Sequence, residues 1–350
     1  MKWNSKRLLS RKTDCGDALM IGGPFVEPSL ADVRAARGRI APFIRPTPLM
    51  RHPLLDAETG LELWVKHENH NPTGAFKVRG GLNLIGSLPP DERVRGVVTA
   101  STGNHGQSIG MACREHGVAC TVFVPDGNNP EKNAAMRAFG AAVEEGGRDF
   151  DEARERCERR AAETGARYVH SANEPMLIAG VGTYALEIFE ALGDADAIFV
   201  PVGGGSGACG LITVRNALGS KTRIIGVGAK NADAVARSWR GPERVIGTSA
   251  NTFAEGIATR VTFDLTFDLM KRHLDDFMLL SEDELAEGVR LALRATHNLA
   301  EGAGAAALAA AHTMRDRYCG RRIVAIMSGG NLDSAKLQRI ASGQTPATEV

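Results

Sequence analysis

Short runs of β-branched and aliphatic residues alternate along this chain with longer stretches of helical periodicity. That alternation predicts an α/β fold on open, mostly parallel sheets, since parallel strands need a crossover between them. Leu61–Lys66, Gly96–Ala100, Ala119–Val124, Asp196–Val202, Arg223–Val227 and Arg322–Met327 read as strands. Ser29 is placed to cap a first helix that runs to Ile40 and is broken by Arg45-Pro46-Thr47-Pro48. Further helices are predicted over Gln107–His116, Pro130–Phe139 and Asp149–Thr164, the last with a charged, solvated face. Ser281 and Glu284 have capping-box spacing ahead of another apolar-periodic helix.

Residues 96–172 carry a self-contained βαβα pattern. They are expected to form a small domain inserted into a larger one built from residues 29–95 and 173–345. A length of 350 residues suits two such units. Residues 1–28 hold Lys2, Lys6, Arg7, Arg11 and Lys12 without a continuous apolar run, and are expected to be a poorly ordered extension.

Composition narrows the class. Hydrophobic residues at 43% and charged residues at 24% are ordinary for a globular protein. A net charge of +1 supplies no long-range field to gather nucleic acid or an anionic membrane. No run approaches the ~18 uninterrupted apolar residues of a membrane span. Cys15, Cys113, Cys120, Cys157, Cys209 and Cys319 include no Cys-x-x-Cys pair, so reduced thiols in a cytoplasmic protein are expected. The 40 glycines cluster in a few loops, where backbone must come close to something.

Three of those loops follow predicted strands: Ser101-Thr102-Gly103-Asn104-His105-Gly106, Gly203-Gly204-Gly205-Ser206-Gly207, and Ser328-Gly329-Gly330-Asn331. In open parallel sheets, ligands bind at the carboxyl ends of strands. Gly203 to Gly207 would expose backbone N–H groups at a helix start, a cradle for phosphate. Gly205-x-Gly207-x-x-Gly210 also fits the dinucleotide fingerprint, but the next strand ends Val227-Gly228-Ala229 without the acid a ribose needs. No Gly-Lys-Ser/Thr ending follows, which argues against a nucleotide P-loop.

Lys77 follows Phe76 in Asn71-Pro-Thr-Gly-Ala-Phe-Lys-Val-Arg-Gly-Gly81. Alone, such a lysine reads as a solvated loop residue. In an open but partly desolvated pocket it becomes a usable amine, able to condense with an aldehyde. Asn104 reads either as a turn residue or as an amide donor to a ligand, and Ser328 as a turn residue or a polar contact. Glu301 is either an exposed carboxylate at a helix N-terminus or an inward-facing acid. His67 and His70, with Glu68 between, have no second cluster to complete a ligand set, so no metal is expected. Ser206 lacks the full nucleophile elbow, because Ala208 follows Gly207.

Together these motifs resemble, in order over about residues 35–340, the serine/threonine dehydratase group of fold-type II pyridoxal-phosphate enzymes, which includes serine racemase. The resemblance implies a two-domain fold like that of the tryptophan synthase β family. It implies that Lys77 carries the cofactor as a Schiff base, with Phe76 packed by its ring. Ser101, Thr102, Gly103, Asn104 and His105 would form the substrate-carboxylate loop, with Asn104 also donating to the ring hydroxyl. Gly203, Gly204, Gly205, Ser206 and Gly207 would hold the phosphate, Glu301 would lie near the cofactor, and Ser328 would meet the pyridine nitrogen. Lys77-Val78-Arg79-Gly80 points to the dehydratase branch.

The implied reaction is α,β-elimination from a 3-hydroxy amino acid, L-threonine or L-serine, to a 2-oxo acid and ammonia. Rival readings are a dehydratase for phenylserine or threo-3-hydroxyaspartate, an amino-acid racemase, and a non-catalytic amino-acid sensor. Two departures bear on them. Gly228 and Ala234 stand where cation-activated relatives carry acids, and Thr102 stands where the racemase uses a serine. The family resemblance further implies a homodimer or homotetramer, and allosteric control through a C-terminal regulatory domain is not expected.

Overall fold

The computed structural model describes residues 26–348. The extension expected over residues 1–28 therefore lies almost wholly outside the described residues, as does Cys15. Ten strands are present among the described residues: β1 (Leu49–Arg51), β2 (Glu62–His67), β3 (Val97–Ala100), β4 (Cys120–Val124), β5 (Ala142–Glu145), β6 (Arg167–Tyr168), β7 (Ala197–Pro201), β8 (Arg223–Ala229), β9 (Asp276–Leu280) and β10 (Arg322–Met327). They form a six-stranded sheet in the order β1-β2-β10-β7-β8-β9 and a four-stranded sheet in the order β5-β4-β3-β6. All pairings are parallel except β1 with β2.

β10 is the last strand in sequence and lies between β2 and β7. Ile323 to Met327 are all buried, as a continuous apolar run covered on both faces requires. One face packs on helices Glu282–Thr296 and Gly302–Thr313, through Leu285, Val289, Ala306 and Ala310. The other packs on helices Pro175–Leu192 and Ser206–Ala217, through Ile178, Ala185, Leu211 and Val214. Helix Pro175–Leu192 is long and apolar enough to cross a bilayer, but it is packed inside the protein and carries Glu187 into a buried ion network.

Local signals explain most element ends. Ser29 caps helix Leu30–Ile40 through a reciprocal pair with Asp32, and Ser281 does the same with Glu284. A predicted bound moves. The helix expected from Gln107 begins at Asn104, because the Ser101 hydroxyl accepts from Gly103 N and Gly106 N and folds the turn into the helix start. Lys77, for which no element was predicted, opens helix Lys77–Ser87. β1, β5, β6 and β9 fall outside the expected strands. The charged helix Phe150–Thr164 buries Ala153 and Cys157 behind its solvated face. Cys113, Cys120, Cys157 and Cys209 are buried thiols and Cys319 is an exposed one.

Candidate active site

Lys77 is held by what flanks it. On its N-terminal side, residues 73–76 are zipped to residues 328–331. Phe76 N donates to Ser328 O at 3.0 Å, Gly330 N to Gly74 O at 2.8 Å, and Asn331 Nδ2 to Thr73 O at 2.8 Å. Gly74 has φ +67°, and a Cβ there would sit 2.6 Å from Asn331 Oδ1, so this turn admits only glycine at full closeness. On its C-terminal side, Arg79 is locked in a buried network. Its guanidinium donates to both oxygens of Glu68, at 2.7 and 2.9 Å, and both of Glu187, at 2.6 and 2.9 Å. Lys66 completes the set against Glu187 and Thr47 O. Two cations and two carboxylates neutralise each other where neither sign could be buried alone.

Helix Lys77–Ser87 also lies unusually close to its neighbours. A Cβ on Gly80 would meet Leu177 O at 2.9 Å, and one on Gly81 would meet Ser108 Oγ at 2.3 Å. Ser108 Oγ donates to Lys77 O at 2.7 Å, which ties the lysine to the helix that begins at Asn104.

Around the Lys77 amine, the predicted residues converge. Burial lowers its pKa to about 8, against the opposing pull of Glu301. Glu301 precedes helix Gly302–Thr313 and faces inward. Burial raises its pKa to about 7, offset by Lys132 and by the Asn104 hydrogen bond. Asn104 Nδ2 donates to Glu301 Oε1 at 2.7 Å, and its Oδ1 accepts from Asn331 Nδ2 at 2.7 Å. Gly304 lets this helix start touch the Ser328 loop, since a Cβ there would lie 1.9 Å from Gly329 O. Ser328, buried at the end of β10, makes no side-chain hydrogen bond among the described residues.

The glycine loop lies between β7 and helix Ser206–Ala217. Backbone N–H groups from Gly203 to Gly207 find no acceptor among the described residues, an orphaned donor set at a helix N-terminus. Two of its glycines have no room for a side chain. A Cβ on Gly203 would lie 2.3 Å from Gly256 O, and Gly205 has φ +92°. Its shape is braced from behind by Thr266 Oγ1 on Gly204 O at 2.6 Å and by Tyr184 OH on Gly207 O at 2.7 Å. Phe76 packs between Tyr184 and Gly207.

The remaining loop residues take different parts. The Ser101 oxygen serves its own turn, as above. Thr102 is half-buried, with its carbonyl accepting from Asn128 Nδ2 at 3.3 Å. Gly103 leads into the helix N-terminus. His105 turns toward Val169 O at 3.5 Å, where burial and the nearby Lys77 hold it neutral, with a pKa near 3. Ser206 is the buried first residue of its helix.

Two residues at the site carry no expected role from the sequence, Asn331 and His170. His170 Nδ1 accepts from Ala172 N and Asn173 N at 2.9 and 3.0 Å and its ring packs on Phe263, beside Gly204. Nothing in a lone histidine after a two-residue strand signals that. Among the described residues, no three His, Cys, Asp or Glu side chains are grouped to hold a metal ion.

An amine kept partly neutral, an orphaned N–H cradle without a ribose acid, and a buried neutral hydroxyl fit an aldehyde that bears one phosphate. The comparisons agree. A family model described as pyridoxal-phosphate dependent enzyme matches residues 40–329. The chain belongs to the pyridoxal-phosphate dependent enzyme family.

Within it, an L-threonine ammonia-lyase of Thermotoga maritima is 37% identical over 314 residues, covering 89% of this chain and 78% of that protein. The structure of threonine deaminase isoform 2 from Solanum lycopersicum superposes with TM-score 0.85 at 30% identity, covering 89% and 91% of the two chains. Maize serine racemase superposes with TM-score 0.85 at 28% identity, covering 91% and 98%. The fold is that of the fold-type II members, and the family's cofactor is pyridoxal phosphate.

Proposed function

We propose that this chain is a pyridoxal-phosphate-dependent ammonia-lyase that dehydrates L-threonine, and L-serine as the smaller homologue, to a 2-oxo acid and ammonia. The observation that carries it is the Lys77 amine, electrostatically coupled to Glu301, lying 5.2 Å from the Phe76 ring, which itself packs on Gly207 of a cradle of unpaired N–H groups. Similarity to proteins named for threonine ammonia-lyase and threonine deaminase supports the substrate.

When bound, the cofactor supplies an aldehyde for the substrate amine and a ring that draws electrons from Cα. Every other role falls to this chain's residues. Gly203 to Gly207 would hold the phosphate, and Phe76 would back the loop. Lys77 would anchor the cofactor and supply the amine that takes the Cα proton as general base. The Ser101–His105 loop and the helix start behind it would bind the substrate carboxylate. Asn104 and Glu301 would fix the ring's orientation. Ser328, a neutral hydroxyl, would not hold a proton on the ring nitrogen as a carboxylate would. That would favour elimination, in which the β-hydroxyl takes up a proton and leaves as water.

An acidic substrate such as threo-3-hydroxyaspartate is disfavoured, because the basic side chains around the site are already paired. Lys132 meets Glu255, and Lys336 meets Asp333 and Glu255. We further propose residues 96–172 as the small domain, a homodimer or homotetramer as the assembly, and the cytoplasm as the compartment.

The test is release of 2-oxo acid from L-threonine, L-serine, phenylserine and hydroxyaspartate by the purified protein, with D-serine formation followed in parallel. Threonine is expected to give the highest kcat/KM. Lys77→Ala should abolish release while the circular dichroism spectrum is unchanged, and turnover in that variant would remove Lys77 from its role. A wild-type protein without a visible cofactor band would instead point to a sensor.

A further inference from the structure

Helix N-termini favour anions, yet two helices here begin with a lysine at their third position. Lys132 lies third in helix Pro130–Ala138, capped by Asn129, and Lys336 third in helix Ser334–Ala341, capped by Asp333. The first belongs to residues around the four-stranded sheet, the second to residues around the six-stranded one. The dipole of its own helix favours neither lysine; Lys336 is answered in part by its own N-cap, Asp333, and both reach one further partner.

That partner is Glu255. Its Oε2 meets Lys132 Nζ, and its Oε1 meets Lys336 Nζ at 2.8 Å. Lys336 also reaches Asp333 at 2.8 Å. Two further contacts cross the same gap: Ser334 Oγ donates to Glu131 Oε1 at 2.6 Å, and Arg260 meets Asp151 at 3.0 Å.

Both ends of the pair touch the site. The Lys132 side chain lies over Gly103, where a Cβ would sit 3.3 Å from its Cδ. Gly103 belongs to the Ser101–His105 loop. Glu255 precedes Gly256, whose carbonyl closes the back of Gly203 in the glycine cradle. Lys132 also draws the Glu301 carboxyl toward ionisation.

We propose that Lys132 and Glu255 are a positioning pair that pins the Ser101–His105 loop above Lys77 and in register with the glycine cradle. The substrate class this loop receives rests on the dehydratase reading above. Lys132 touches no reacting atom in this role. It holds the loop that binds the amino-acid carboxylate, so its loss should weaken substrate binding more than the chemical step. The Lys132 side chain is 11% exposed and that of Glu255 39%, so the pair acts with the strength of a partly exposed ion pair.

The experiment measures steady-state kinetics and amide exchange on the cofactor-loaded protein. The variants are Lys132→Met, Lys132→Arg, Glu255→Gln and the double change Lys132→Met with Glu255→Gln. Lys132→Met should raise KM for threonine roughly fivefold with kcat changed less than about twofold. Lys132→Arg should restore KM, and the double variant should be no worse than either single one. The visible cofactor band should stay unchanged throughout.

Exchange of the Gly103 and Gly106 amides, now held by Ser101 Oγ, should quicken roughly fivefold in Lys132→Met and in Glu255→Gln. Unchanged KM together with unchanged exchange in these two variants overturns the pair. Faster exchange in a protein whose wild type releases no 2-oxo acid would sink the dehydratase reading and leave the pair standing.

Discussion

Lys77 has two electrostatic neighbours of different kinds: the protein interior, which favours its neutral form, and Glu301, which favours the charged one. The interior wins, and the amine sits near pH 8 instead of above 10. A lowered lysine is neutral above its pKa and charged below it. Uptake of pyridoxal phosphate by cofactor-free protein should therefore speed up as pH rises through about 8 and then level off. Stopped-flow absorbance checks this, and a midpoint near 10 would place the amine in solvent. Lys77, Asn104 and Ser328 were legible in the sequence because each stands in a short motif with its neighbours. Lys132 and Glu255 were not, because they meet each other across more than a hundred positions, and His170 was not, because its ring packs on distant Phe263 while its local bonds to Ala172 N and Asn173 N follow no motif. Lys132 did leave one trace, a cation where a helix start disfavours it.

At the scale of elements, the helix that carries Lys77 is fixed by charge and by smallness. Arg79→Met would leave Glu68 and Glu187 buried with Lys66 alone to answer them. Such a broken network costs about 3–5 kcal/mol, measurable by urea unfolding. Gly81→Ala tests closeness. The new methyl would meet Ser108 Oγ at 2.3 Å and Ser108 O at 2.9 Å. Overpacking of this kind costs about 1–3 kcal/mol, and the better helix propensity of alanine returns at most about 1. The midpoint of thermal unfolding should fall, and unaltered stability would mean the helices can part freely. Legibility differs here too. Strong caps and long apolar runs mark helices Leu30–Ile40 and Glu282–Thr296 and strand β10 clearly. β5 and β6 are short and only partly buried, so tertiary pairing decides them more than their own residues do.

At the scale of the molecule, the parallel, two-sheet architecture follows from the alternation of strands and helices. Strand order does not, because pairing β2 with β10 joins residues more than 250 positions apart, a match no local pattern encodes. That order has a consequence for how the protein is made. Until the ribosome has delivered Arg322–Met327, β2 and β7 face an unfilled slot in the middle of their sheet. Both present open backbone edges, the kind that invite pairing with other chains. A chain stopped at Cys319 should therefore neither take up pyridoxal phosphate nor unfold cooperatively, and should partition into aggregates. Adding a separate peptide of residues 320–348 during refolding would supply the missing strand, and recovery of the visible cofactor band would show the slot being filled. Biogenesis would thus be gated late: the nascent chain carries its reactive amine from residue 77 onward but has no finished chamber for it until β10, the last of the described strands, emerges.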